Sequence, residues 1–181
     1  MQKCPSNLAV FLSAAVLASS VLAAPKDKSQ RPSPPARAAC KLAEGKTVTV
    51  DYSSPRMKGR KVFGDLVPLG GVWRLGANEA TSLVTDAQLS VGGKTIPAGS
   101  YTMFAIPNAN KWTLIISKKT GEWGVPYPGE ADDLARMEMT TSKLPAPVEN
   151  FTIAFDQADG TCTMKVDWET TRATIAMSAK K

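Results

Sequence analysis

The chain has 181 residues, room for one domain with extensions, and carries a formal net charge of +6. It contains no histidine, which excludes a Ser-His-Asp triad, a Cys-His pair and every histidine-containing zinc or iron site. From Cys40 onward there are 17 basic and 15 acidic residues, too even a balance for the concentrated basic face that nucleic-acid binding needs.

The N-terminus has the pattern of an export signal. Lys3 is followed by the apolar and small run Leu8 to Leu22, and Val21-Leu22-Ala23 places small residues at a cleavage site. The expected signal peptide is therefore 1–23, with Ala24 the neighbouring alternative. A membrane span needs about 20 apolar residues, and Pro25, Lys26 and Asp27 follow too soon. No span is expected after cleavage, and the mature protein is expected in the periplasm or secreted. Residues 24–39 hold four prolines and a net charge of +3 with little apolar bulk, which predicts a disordered basic tether. The single domain is expected over 40–181.

Cys4 leaves with the signal, so the domain retains Cys40 and Cys162. In an oxidising compartment the default is a disulfide between them; the alternative is two separate thiols with Cys162 buried. Pairing would remove thiolate metal sites and cysteine nucleophiles, and no cofactor or metal is expected.

Beyond the tether, apolar residues recur with a period of two. Val48, Val50 and Tyr52 share one strand face, as do Phe151, Ile153 and Phe155. Cys162, Met164, Val166 and Trp168 continue the pattern, and Thr171, Ala173, Ile175 and Met177 follow in step. Gly92-Gly93 and Asp159-Gly160 predict two-residue hairpin turns, and Asn108 to Asn110 predicts a third connection. Only about 130–136 looks helical. The expected fold is all-β: an antiparallel β-sandwich or barrel-like domain of nine to ten short strands with one short helix. Gly93-Lys94-Thr95 is no phosphate loop, since Gln88 stands where the pattern needs glycine.

Two polar stretches could carry chemistry. Arg56, Lys58, Arg60 and Lys61 put four positive charges within six residues, enough to hold a carboxylate, a phosphate or a sulfated sugar. The alternative is a solvated turn shaped by Pro55 and Gly59. Trp73, Arg74, Asn78 and Glu79 then bring a stacking face, a fork donor, an amide and a carboxylate together, the mixture of a saccharide site. Alternatively Trp73 is core, Glu79 pairs with Arg74, and Asn78 closes a turn. Glu79 as a catalytic acid would need a facing carboxylate; Asp51 and Asp65 are the nearest in sequence. Trp123, Tyr127 and Pro128 form an aromatic loop, expected to cover a sheet edge rather than extend a binding platform.

These stretches also carry a resemblance. Ser54-Pro55-Arg56, Lys58-Gly59-Arg60-Lys61, Phe63-Gly64, Leu66-Val67-Pro68 and Val72-Trp73-Arg74 with Gly76-Ala77-Asn78-Glu79-Ala80-Thr81 resemble a family of secreted bacterial proteins. That family is known as a domain of unknown function, number twenty-nine eleven. Residues 92–102, Trp112 to Ile116, Gly124 and 144–153 are similar to it as well, so the likeness runs from about Thr47 to Met177. It implies a β-rich secreted domain and brings no activity.

The leading expectation is an exported β-domain that binds a small ligand, a saccharide or a small anion, through Arg56, Lys58, Arg60, Trp73, Arg74, Asn78 and Glu79. The alternatives are a carboxylate-dependent hydrolase using Glu79, and an envelope structural or interaction protein whose partner is an envelope component.

Overall fold

The computed structural model describes residues 27–180. The expected signal peptide and the first residues of the expected tether lie outside them. The described residues form nine strands: β1 (Pro35–Lys41), β2 (Thr47–Ser53), β3 (Ser82–Thr85), β4 (Leu89–Val91), β5 (Lys94–Ile96), β6 (Gly99–Pro107), β7 (Lys111–Ser117), β8 (Asp133–Ala158) and β9 (Thr161–Ala179). They pair antiparallel throughout, in the order β1-β2-β3-β6-β7-β8-β9-β4-β5. The protein is all-β, and the order ends at β1 and β5 without closing into a barrel.

The alternation reaches the core as expected. Val48 and Val50 of β2 and Cys162, Met164 and Val166 of β9 are fully buried, each apolar side chain contributing about 1.5–3 kcal/mol. Gly92-Gly93 and Asp159-Gly160 form the two-residue turns of β4–β5 and β8–β9. All four residues have positive φ, the conformation that type I′ turns require and that glycine takes without strain.

Three expectations change. The helix expected near 130–136 is a single 3-10 turn at Glu130–Asp132, and β8 begins at Asp133. A helix nucleus is costly, and Gly129 before this one gives no side-chain cap. Pairing with β7 takes over, at Ile116 with Ala135 and Leu114 with Met137. Not all strands are short: β8 and β9 run 26 and 19 residues. Their pairing is irregular between Lys143 and Thr152, where Pro145 and Pro147 lack the amide a ladder uses. Lastly, 35–39 belong to β1 rather than to a disordered tether, paired in register with β2 from Pro35–Ser53 to Ala39–Thr49. Small alanines alternate inward there, and Ala38 is buried.

At the irregular stretch the β8–β9 hairpin folds back across β1 and β2. Cys40 of β1 and Cys162 of β9 are joined as a disulfide across 122 residues of sequence. The Tyr52 hydroxyl donates to the Ile153 carbonyl at 3.3 Å, and the Ser54 hydroxyl to the Phe151 carbonyl at 2.6 Å. Backbone bonds from Met57 N to Glu149 O and from Phe151 N to Pro55 O extend the seam. One continuous core results. No helix among the described residues is long and apolar enough to cross a membrane.

Candidate functional site

Both polar stretches lie in the long connection between β2 and β3, which three anchors hold against the sheet. Trp73 exchanges two backbone hydrogen bonds with Ala105 of β6, each 2.8 Å. Glu169, at a positive φ of 53° in β9, accepts from the amides of Val62 and Phe63 at 3.1 and 3.4 Å. Gly76 lies so close to β2 that a Cβ there would meet the Ser53 carbonyl at 2.9 Å, so glycine is needed for close approach.

Trp73 belongs to an aromatic cluster. It stacks on Trp168 with centroids 5.9 Å apart and meets Phe63, Trp112 and Phe151 edge-on. Its indole N–H donates to the Gly76 carbonyl at 3.1 Å. Such pairs add about 0.5–1.5 kcal/mol each beyond burial. This places the half-buried Trp73 ring mainly in the packing of the fold, with its remaining surface forming a wall of a cleft.

That cleft has a volume of about 380 Å3, at the lower end of the range for small-molecule sites. Trp73 and Trp168 line it together with Pro55, Val67 and Pro68, and Leu66, Val72 and Val125 stand at its apolar margin. Among the described residues, Arg60 and Arg74 are its charged side chains, Ser33 adds a hydroxyl, and no carboxylate lines it.

Of the expected site residues, Arg60, Trp73 and Arg74 meet at this cleft. Arg56, Lys58, Asn78 and Glu79 do not line it. Arg56 donates from Nη1 to the Ser54 carbonyl and hydroxyl at 3.0 and 2.7 Å. Lys58 occupies a turn at φ 50° with its amide on the Glu149 carboxylate. Asn78, also at positive φ, donates from Nδ2 to the Ser33 carbonyl at 2.9 Å. Glu79 does not pair with Arg74. It pairs with Arg31 at 2.8 Å and Lys28 at 3.0 Å, so Asn78 and Glu79 fasten the segment before β1. A hydrogen bond from its own backbone amide, followed by those from Lys28 and Arg31, lowers the Glu79 pKa to about 2.

The arginines divide by partner. Among the described residues, Arg31, Arg37, Arg136 and Arg172 each pair with a carboxylate. Arg56, Arg60 and Arg74 have none. Arg60 donates from Nε to Met57 O at 2.9 Å and from Nη2 to Arg56 O at 2.7 Å. Arg74 donates from Nη1 to the carbonyls of Asn78 and Trp123 at 2.6 and 3.1 Å. Both guanidiniums keep further N–H donors.

The aromatic loop splits. Tyr127 packs edge-on against Phe104 and donates its hydroxyl to Asp133. Trp123 stays 53 % exposed under the Arg74 guanidinium, 5.9 Å from its centroid. Among the cleft residues that sequence reasoning missed are Ser33, Trp168, Leu66, Val67 and Val125. Trp168 was visible as an inward strand position, but nothing local in the sequence sets it beside Trp73.

Fold and site define an all-β, disulfide-linked antiparallel domain with an apolar-walled cleft that bears two arginines. Residues 33–177, most of the chain, match the family described as a protein of unknown function (DUF2911), and the chain belongs to that family. No curated protein and no solved structure matches it.

Proposed function

We propose that this is an exported binding module that takes a small anion in the cleft between Arg60, Arg74 and the Trp73–Trp168 pair. One observation carries the reading: among the described residues, the two arginines at the cleft have no carboxylate partner and no acidic side chain lines it. An unneutralised pair of guanidiniums beside low-dielectric walls attracts anions more strongly than the same charges in open water. Export is supported by the Cys40–Cys162 disulfide, a bond that persists in oxidising compartments.

The saccharide reading loses support because the Trp73 ring packs among Trp168, Phe63, Trp112 and Phe151, so only part of it faces the cleft. Hydrolysis by Glu79 loses support because a carboxyl with a pKa of about 2 holds no proton to donate near neutrality. Glu79 also stands outside the cleft.

The test is a thermal-shift screen of residues 24–181 against simple anions and neutral glycans. A ligand at a hundred times its dissociation constant stabilises by about 2.7 kcal/mol, a shift of several degrees. Anions should raise the midpoint and neutral glycans should not. An equal response in Arg74→Gln, or none to any anion, would sink the proposal.

A further inference from the structure

Resting on the anion-binding reading and narrowing it, we infer that the cleft selects an amphipathic organic carboxylate: one carboxylate group on an alkyl or aryl body. The argument begins with which guanidinium edges are free. Both protein bonds of Arg74 leave from Nη1, so its Nε–Nη2 edge has no protein partner among the described residues. That edge receives a carboxylate through two parallel N–H···O bonds. The carbonyls of Asn78 and Trp123 already fix the plane of the group, so little side-chain freedom remains to be lost on binding.

Arg60 differs. Its Nε–H and one Nη2 N–H are committed to the Met57 and Arg56 carbonyls, so its Nε–Nη2 edge is taken and, among the described residues, its free donors are the two N–H on Nη1 and one on Nη2. The free Nε–Nη2 edge of Arg74 suits one carboxylate group.

The remainder of the cleft asks for carbon. Pro55, Val67, Pro68 and the two tryptophans supply its walls. At its margin Leu66, Val72 and Val125 are 42 %, 38 % and 62 % exposed. An inorganic anion would leave this surface in water, whereas a hydrocarbon body would cover it. A neutral sugar fares worse still, because among the described residues Ser33 is the only lining side chain that offers an oxygen acceptor.

The experiment is titration calorimetry of residues 24–181 with acetate, butyrate, hexanoate and octanoate, beside hexanamide, inorganic phosphate and sulfate. Affinity should rise about three- to fourfold per added methylene until the cleft is filled. Hexanamide should bind at least about tenfold more weakly than hexanoate, since it brings no charge to the arginine fork. Arg74→Lys keeps the positive charge but not the fork and should lose about tenfold for every carboxylate. Leu66→Ser, at an exposed position of the cleft margin, should flatten the chain-length dependence. A flat series in which phosphate and sulfate match octanoate would overturn this inference while the anion-binding reading stands. Equal binding of hexanamide and hexanoate, or no binding by any compound, would overturn both.

Discussion

Nη1 of Arg31 lies 2.8 and 3.0 Å from the two carboxylate oxygens of Glu79, 48 residues further along the chain. Lys28 adds a contact at 3.0 Å, the Ser33 carbonyl accepts from Asn78, and the Pro34 carbonyl accepts from Ser54 N. Together these bonds fasten the segment before β1 alongside the Trp73–Glu79 loop, where Ser33 joins the cleft wall.

The first prediction concerns this fastening. Glu79→Gln should release the segment, raising amide exchange at residues 29–33 well above wild type. The exchange of β6 and β7 should stay unchanged. Because the pair is partly exposed, the loss of stability should be modest, about 0.2–1 kcal/mol in a denaturant titration. Unaltered exchange would mean that the Asn78 and Pro34 bonds hold the segment by themselves.

Acid should act through the same residue. The folded pKa of Glu79, about 2, lies below the ordinary carboxylate value, so its contribution to stability is present above about pH 4.5 and is lost as pH falls toward 2. The midpoint difference between wild type and Glu79→Gln should therefore be constant from pH 7 to 5 and shrink progressively below. A difference independent of pH down to 2 would contradict the ion pairs with Lys28 and Arg31.

The disulfide ties the first strand to the last hairpin across 122 residues. In the chain-entropy account a loop this long stabilises by about 4–5 kcal/mol, and loss of a native bridge commonly costs about 2–5. Cys40→Ala with Cys162→Ala, or incubation with a reductant, should lower the thermal midpoint by many degrees. A change below about 1 kcal/mol would show that the Tyr52–Ile153 and Ser54–Phe151 bonds suffice to hold the hairpin down.

Gly124 sits at φ +84°, and a Cβ there would lie 2.8 Å from Cβ of both Arg74 and Ala80. Gly124→Ala should destabilise the domain by about 1–3 kcal/mol through backbone strain and overpacking. It should also displace the Arg74 guanidinium from the Trp123 carbonyl, which Trp123 fluorescence and weaker carboxylate binding would report. Wild-type stability and affinity in this variant would remove Gly124 from the account of the site.

Much of the fold was legible because its signals are local. Strand periodicity depends on neighbours two residues apart, and Val48, Val50, Met164 and Val166 point inward as their alternation requires. The Gly92-Gly93 and Asp159-Gly160 turns likewise follow from backbone freedom at two adjacent residues. The N-terminal boundary and the expected helix at 130–136 were misjudged for the opposite reason. An alanine-rich stretch such as 35–39 and a short mixed stretch such as 133–136 have no decisive preference of their own, and the strand beside each decided it.

The site divides along the same line. By itself the sequence determined which residue types crowd into 54–81, and it marked Arg60, Trp73 and Arg74, which do meet at one cleft. Only the tertiary structure decided that Asn78 and Glu79 would turn away to hold Ser33 and Arg31, and that Trp168 would close over Trp73. Those outcomes depend on chain segments tens of residues apart arriving at one place. Charge and shape acquire a partner only through that arrival, which local spacing does not encode.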